Sequence, residues 1–136
     1  MRAREPPLVG RTAVVGDLAS TVALGGSVLL TGPAGIGKTR SARELCRLES
    51  AGGAGVERVL ATSETAARPL GTRAPLGVTA DDDDPVRAFG RILRRWAERG
   101  GAAGSVLLWL DDAHHADPAT AALVRHGVVG GVLRLV

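Results

Sequence analysis

The sequence predicts an α/β fold of three layers, in which a parallel sheet lies between helices. Four apolar segments of strand length lie along the 136 residues, at 27–31, 56–62, 105–110 and 130–136. Segments with helical periodicity lie between them. After Ser105, the third of these segments (VLLWL) is apolar throughout, as in strands that are buried on both faces. The alternation of strands and helices favours a parallel sheet.

Composition restricts the class of protein. With 45% hydrophobic and 23% charged residues, the chain is not disordered by composition, and its length fits one domain. No run of ~18 apolar residues exists that would span a membrane, and the N-terminal residues lack the apolar core of a signal peptide. The single cysteine, Cys46, excludes an internal disulfide and fits a reducing compartment, so we expect a cytoplasmic location.

Arginine and glycine residues are both spread along the chain. The net charge of +3 comes from arginines spread along the chain without interleaved aromatic residues, which favours a solvated surface over a nucleic-acid face. Because the chain contains 19 glycines, only glycines in a pattern carry information.

Residues 1–7 are expected to be a flexible N-terminus, and 8–136 to form the domain. One helix is predicted from Val15 to Val22, ended by Gly25 and Gly26, and another runs to about Ser50. Residues 63–80 predict a long loop. A third helix has the apolar stripe Val86, Phe89, Leu93, Trp96 and Ala97.

Two helices have the same predicted start, an aspartate followed by proline. Asp84-Pro85 and Asp117-Pro118 fit an N-cap and the first helical residue, and the second helix is expected over 119–126. The run of acids at 81–84 is interpreted as capping and solubility rather than a metal site, because consecutive acids cannot all face one ion.

The glycine-rich segment "GPAGIGKT" matches the spacing G-x-x-x-x-G-K-[ST] and lies between a predicted strand and a predicted helix. Glycines allow successive backbone N–H groups to point at phosphate oxygens, and the helix N-terminus adds positive charge. Lys38 would contact the β- and γ-phosphates of ATP, and the Thr39 hydroxyl would bind Mg²⁺. The predicted nucleotide-binding residues here are Gly32, Pro33, Ala34, Gly35, Ile36, Gly37, Lys38, Thr39 and Arg40. A chance glycine-rich turn would leave the Lys-Thr pair and both flanking elements unexplained.

Asp111 follows the apolar strand at 105–110 and is the predicted second Mg²⁺ ligand. Ligands of open α/β sheets bind at the carboxyl ends of strands, and this pattern is that of a Walker B motif. The alternative is a turn or cap residue, since acids are common after strands.

Asp112 is the candidate for positioning an attacking water. Hydrolysing relatives usually have glutamate here, and aspartate reaches roughly 1.5 Å less far, so we expect slow hydrolysis. His114 is a second catalytic candidate, for phosphate sensing or proton transfer. The alternative is that one of His114 and His115 is a polar residue behind the site and the other lies at the surface. Zinc binding by these histidines with Asp117 is disfavoured, because the side chains of adjacent residues point apart.

Three segments together resemble the ATP-binding domain of AAA+/STAND-type regulators, in particular the large ATP-binding regulators of the LuxR family. They are "LVGR" at 8–11, "VLLTGPAGIGKTR" at 28–40 and "VLLWLDDAHHADPAT" at 106–120. The resemblance covers about residues 8–136, and the order of the segments is more specific than the phosphate loop alone.

This resemblance implies a P-loop NTPase fold with the strand order 5-1-4-3-2, and ATP or ADP as ligand. It implies a nucleotide-driven switch that reaches DNA only indirectly, through a C-terminal helix-turn-helix. Self-association is a further partner interaction that stays open. By motif match, Gly10 and Arg11 would lie near the adenine or ribose. Thr12 replaces the glutamate often found after that arginine, and His115 stands where tryptophan is frequent.

Against the family pattern, the chain is expected to be an N-terminal fragment, without the fifth strand and the helical lid. Other functions stay open. These are a P-loop kinase or another ATP-hydrolysing enzyme, a non-functional truncated gene fragment, and a translocase. A kinase would need a recognisable lid, and it offers no reason for "LVGR" and "DDAHHADP".

Overall fold

The computed structural model describes residues 10–67 and 84–136. The predictions for residues 1–9 and 68–83 lie outside this part of the chain. They include the flexible N-terminus, most of the long loop and the acidic residues before Asp84.

Five helices and three strands make up the described ranges, with short 3₁₀ turns at Gly101–Ala103 and Ala113–His115. The elements are α1 (Thr12–Ala23), α2 (Lys38–Ala51), β1 (Val56–Leu60), α3 (Ser63–Ala66), α4 (Pro85–Arg99), β2 (Val106–Asp111), α5 (Pro118–Val129) and β3 (Leu133–Leu135).

The sheet is parallel and has the order β1-β2-β3. Leu60 lies opposite Asp111, and Leu108 lies opposite Leu135. Chain order and spatial order coincide here, and helices connect successive strands, as parallel pairing requires. In the expected order 5-1-4-3-2, these are strands two, three and four, which are neighbours there as they are here. The α/β fold of the P-loop NTPase type is confirmed.

The strand predicted at 27–31 is wrong, because this segment does not form a strand. It lies beside β3, where the Val28 amide donates to the Leu135 carbonyl at 2.8 Å. The Leu135 amide donates instead to the Ser27 hydroxyl at 3.0 Å, so a side chain takes the place of the next backbone acceptor. Leu29, expected to be buried, is 81% exposed.

Two apolar clusters cover the two faces of the sheet. Helices α1 and α2 pack on one face, through Val22, Ala42, Leu45, Cys46, Leu107, Trp109 and Val136. Helices α4 and α5 pack on the other, through Val59, Ala88, Ile92, Trp96, Val106, Leu108, Leu123, Val124 and Leu133. The three predicted layers are therefore present, and α2 carries the glycine loop at its N-terminus.

Two local predictions need correction. The buried stripe of α4 is centred on Ala88, Ile92 and Trp96, while Val86 is exposed, because the small Ala88 lets the helix approach the sheet along its i, i+4 row. Residues 63–66, predicted as loop, form α3, where Thr62 and Thr65 make a reciprocal capping box.

Arg134 ties β3 to its surroundings by a buried cluster of hydrogen bonds. Its guanidinium donates to the Val22 carbonyl at 3.0 Å, to the Glu49 carboxylate at 2.8 Å and to the Ser105 carbonyl at 3.3 Å. The charge is buried but paired, as buried charges require. These contacts hold α1 and α2 against β3. Strand β3 lies beside residues 27–31, which precede the glycine loop.

Candidate functional site

The glycine loop at 32–37 is an exposed curl that leads directly into α2. Gly35 has φ 79° and Gly37, the N-cap of α2, has φ 96°. A residue with a side chain is strained at both positions, so the sequence needs glycine there. The curl therefore depends on these glycines and not on the general glycine content of the chain.

Lys38 lies over the same loop. Its Nζ donates to the Gly32 carbonyl at 2.6 Å and to the Pro33 carbonyl at 2.9 Å. Two carbonyl acceptors of the loop thus hold the ammonium group against the backbone that precedes α2. Thr39, in the first turn of α2, is exposed, and Arg40 is half-buried.

Arg11 is in contact with the loop, although the two are separated by more than twenty positions in the sequence. It is the N-cap of α1, and its guanidinium lies so close to Gly37 that a Cβ there would be 3.2 Å from Arg11 Cζ. Gly10 is exposed and has φ 78°. The structure therefore brings Arg11 and the phosphate-loop residues together, at Gly37.

Asp111 is the last residue of β2, and its side chain is 17% exposed. Its Oδ2 accepts a hydrogen bond from Arg58 Nη2 at 2.8 Å. The inner face of α2 packs on β2 at Leu107 and Trp109, so Asp111 follows directly the part of the strand that supports the loop's helix. This placement agrees with an acid at the carboxyl end of a central strand.

Arg58 is a charged residue of the site that sequence reasoning missed. It lies opposite Trp109 in the strand register, and its Cζ is 4.1 Å from the Trp109 ring centroid. The signal was present in the sequence, since alternation along β1 puts Arg58 on the same face as Trp109 and Asp111. The pairing of β1 with β2 had to be known before that signal could be used.

Asp112 has φ 53°, the only positive value for a non-glycine residue in the described ranges. It caps the 3₁₀ turn Ala113–His115 without a side-chain hydrogen bond, and it is exposed. Aspartate tolerates this backbone conformation better than most residues do. The backbone conformation at Asp112 therefore differs from the strand conformation at Asp111.

The histidine rings of His114 and His115 lie next to each other, with centroids 4.0 Å apart. The Asp117 carboxylate, which follows them in the sequence, accepts from the Thr120 amide at 3.0 Å and from the Thr120 hydroxyl at 2.5 Å. Within residues 10–67 and 84–136, no group of three or more His, Cys, Asp or Glu side chains could hold a metal ion.

Cys46 lies behind the site, on the buried face of α2. Burial, together with the negative charge of Glu49, raises the pKa of its thiol to about 11. The thiol is therefore neutral at physiological pH and serves as a small core residue, as predicted.

An apolar cavity of about 370 Å³ lies between α5 and β3, apart from the glycine loop. None of the predicted site residues lines it. Its walls are formed by Ser27, Leu110, Ala113, Ala116, Ala121, Val124, Arg125, Val128, Val129 and Leu135.

A family model described as an AAA ATPase domain matches residues 7–127. The chain belongs to the AAA ATPase domain family. No curated protein and no solved structure matches it.

Membership of the AAA family agrees with the parallel sheet, the glycine loop before α2 and the acid after β2, and it supports nucleotide binding. Among the helices of this AAA domain that the structure describes, none is long and apolar enough to cross a membrane.

Proposed function

We propose that this AAA domain binds ATP and ADP with Mg²⁺ at the glycine loop, as the nucleotide switch of a signalling or transcriptional regulator. The single observation that carries the proposal is the loop itself. Glycines with positive φ curl the backbone of 32–37, and Lys38, at the start of α2, donates back to two carbonyls of this loop.

The loop provides the interactions that a polyphosphate needs. Backbone N–H groups at the N-terminus of a helix attract anions, and α2 has no acidic residue in its first turn that would oppose this. Lys38 Nζ has two carbonyl acceptors in the loop, and a phosphate oxygen is a stronger, charged acceptor for the same donor. We expect Lys38 to exchange those carbonyls for the β- and γ-phosphates, with Gly32–Arg40 around them.

The residue types at the start of α2 and at the end of β2 support a magnesium ion as part of the proposal. Mg²⁺ prefers oxygen ligands and keeps several waters, so one hydroxyl and one carboxylate suffice on the protein side. Thr39 supplies the hydroxyl from the first turn of α2, and Asp111 supplies the carboxylate from the end of β2. When bound, the ion would offset part of the phosphate charge.

The adenosine end is assigned to the start of α1. Arg11 already touches the loop at Gly37, and a guanidinium can stack on an adenine ring or donate to a ribose hydroxyl. Gly10, just before it, is exposed and leaves room for the approach of a ligand.

We propose that hydrolysis is weak or absent. Asp112, the water-positioning candidate, has a short side chain on a backbone with φ 53°, and His114 is exposed beside it. A domain that binds ATP but hydrolyses it slowly suits a switch better than a motor. The sequence resemblance supports a regulatory role, kinship with LuxR-type regulators and STAND proteins, and indirect action on DNA. The single cysteine supports a cytoplasmic location. Self-association is part of the same proposal.

Calorimetric titration tests the binding proposal. MgATP and MgADP are titrated into the chain and into a Lys38→Ala variant, with Arg47→Ala on the exposed face of α2 as the matched control. We expect measurable heats for the parent chain and for Arg47→Ala, and a loss of binding for Lys38→Ala. Equal heats for Lys38→Ala and the parent chain would refute the assignment, and phosphate release in the same samples reports hydrolysis.

A further inference from the structure

The carboxylate assigned to Mg²⁺ already has a positively charged partner. Arg58 Nη2 donates to Asp111 Oδ2 at 2.8 Å, and the two residues come from adjacent strands, 53 positions apart in the chain. This ion pair lies at the carboxyl end of the sheet, where the nucleotide site is proposed. The pair therefore occupies the same carboxylate that a bound Mg²⁺ would use.

Arg58 is held in place by the surface beneath it. Its guanidinium lies 4.1 Å from the ring centroid of Trp109, a distance suited to a cation–π contact. Trp109 is 6% exposed and packs in the cluster under α2, so it gives a rigid platform. The strand register puts Arg58 opposite Trp109 and leaves Asp111 within reach of the same side chain.

The two partners differ in exposure, which suggests which one moves. The Arg58 side chain is 48% exposed, whereas that of Asp111 is 17% exposed. The long arginine side chain can swing off the carboxylate, whereas Asp111 is fixed at the end of β2. The pair can therefore open without a change in the sheet.

We propose that Arg58 is a positioning residue that competes with Mg²⁺ for the Asp111 carboxylate. The inference rests on the proposed nucleotide site. In the ligand-free protein, Arg58 neutralises Asp111 and holds its carboxylate in one orientation. When nucleotide and metal bind, the Arg58–Asp111 pair opens and the guanidinium stays on Trp109 or turns into solvent.

The competition has a measurable consequence for the metal dependence of ATP binding. The metal factor is the Kd for ATP in EDTA divided by the Kd for ATP in saturating Mg²⁺. Arg58→Gln keeps a polar side chain but removes the competing charge, so the metal factor should rise about 2- to 5-fold, the range that a partly exposed ion pair supplies. Arg58→Lys keeps the charge and should stay within about 2-fold of the parent chain.

A double-mutant cycle makes the test specific to this pair. Asp111→Asn should lower the metal factor, and adding Arg58→Gln to it should produce no further change. Arg47→Gln removes an exposed arginine that pairs with Glu44 on α2, so it controls for the loss of one positive charge. Circular dichroism of each variant verifies that the fold is retained.

The outcomes are separable. If the parent chain does not bind ATP, the proposed function fails and this inference fails with it. If the parent chain binds ATP with a metal factor above one, and Arg58→Gln leaves that factor unchanged or lowers it, the inference is wrong while the proposed function stands. A rise in Arg58→Gln that persists in the Asp111→Asn background would also overturn it, because the effect would not pass through Asp111.

Discussion

The indole Nε1 of Trp96 donates a hydrogen bond to the carboxylate of Glu57 at 3.1 Å, in the interior between α4 and the sheet. Trp96 is fully buried, and the side chain of Glu57 is only 5% exposed. Arg99 and Arg95, at the end of α4, also contact this carboxylate, Arg95 at 3.2 Å. Glu57 therefore joins the edge strand β1 to α4 by pairing with one neutral and two charged donors.

Removal of this acceptor should destabilise the fold. In Glu57→Ala, Trp96 Nε1 stays buried without a partner, and we expect a loss of about 1–3 kcal/mol in the free energy of unfolding. The two arginines are partly exposed and can be hydrated, which limits the cost. Urea unfolding measures the change. Glu98→Ala on the exposed face of α4 is the matched control, and equal stability of the two variants would contradict this account.

The two aspartate caps should differ in strength, because one is buried and the other exposed. Asp117 is 2% exposed and accepts from both the amide and the hydroxyl of Thr120, whereas the Asp84 side chain is 52% exposed and accepts from the Val86 amide. We expect Asp117→Ala to lower the free energy of unfolding by about 1–2 kcal/mol and Asp84→Ala by about 0.5–1 kcal/mol. Thermal or urea unfolding of both variants gives the comparison, and a larger loss for Asp84→Ala would show that burial does not set the strength of these caps.

The thiol of Cys46 should react slowly in the folded protein. Its pKa is raised to about 11, chiefly by burial, so at pH 8 the thiolate fraction is about 100-fold lower than for a thiol of unperturbed pKa. The alkylation rate should rise about tenfold per pH unit up to pH ~10. A rate that levels off near pH 9, as it should for denatured chain, would contradict the raised pKa.

The same shift predicts how stability depends on pH. The folded state favours the neutral thiol, so the contribution of Cys46 is complete below the unfolded pKa of about 9 and is lost as the pH rises towards about 11. Cys46→Ala should remove this part of the alkaline decline in the free energy of unfolding. If the declines of the parent chain and Cys46→Ala run parallel between pH 8 and 11, the thiol is not responsible.

Local chemistry explains what could be predicted from the sequence. The loop at 32–39 and the caps at Asp84 and Asp117 depend on residues within a few positions of each other, and the structure has both caps and the curled loop where they were expected. The strand before Asp111 was predictable because a fully apolar run needs burial on both faces.

Features that depend on distant partners were missed or misjudged. Arg58 and Glu57 acquire their roles only when β1 pairs with β2 and α4 packs against it. The segment at 27–31 has an apolar strand pattern, but strand formation needs a ladder of backbone hydrogen bonds, and the hydroxyl of Ser27 takes one of them. In α4, the small size of Ala88 decides which row is buried, which hydrophobicity alone does not indicate.

The most direct test of the central claim is to observe the backbone amides of the glycine loop during nucleotide binding. In an NMR titration of ¹⁵N-labelled protein, MgATP should shift the amide resonances of Gly35, Gly37, Lys38 and Thr39, because their N–H groups donate to phosphate oxygens. Adenosine, which lacks phosphate, should leave the resonances of Gly35, Lys38 and Thr39 in place, whereas Gly37 lies against Arg11 and can respond to the adenosine end. Amides of Gly35, Lys38 and Thr39 that do not move with saturating MgATP, or that move equally with adenosine, would contradict the assignment of this loop to the phosphates.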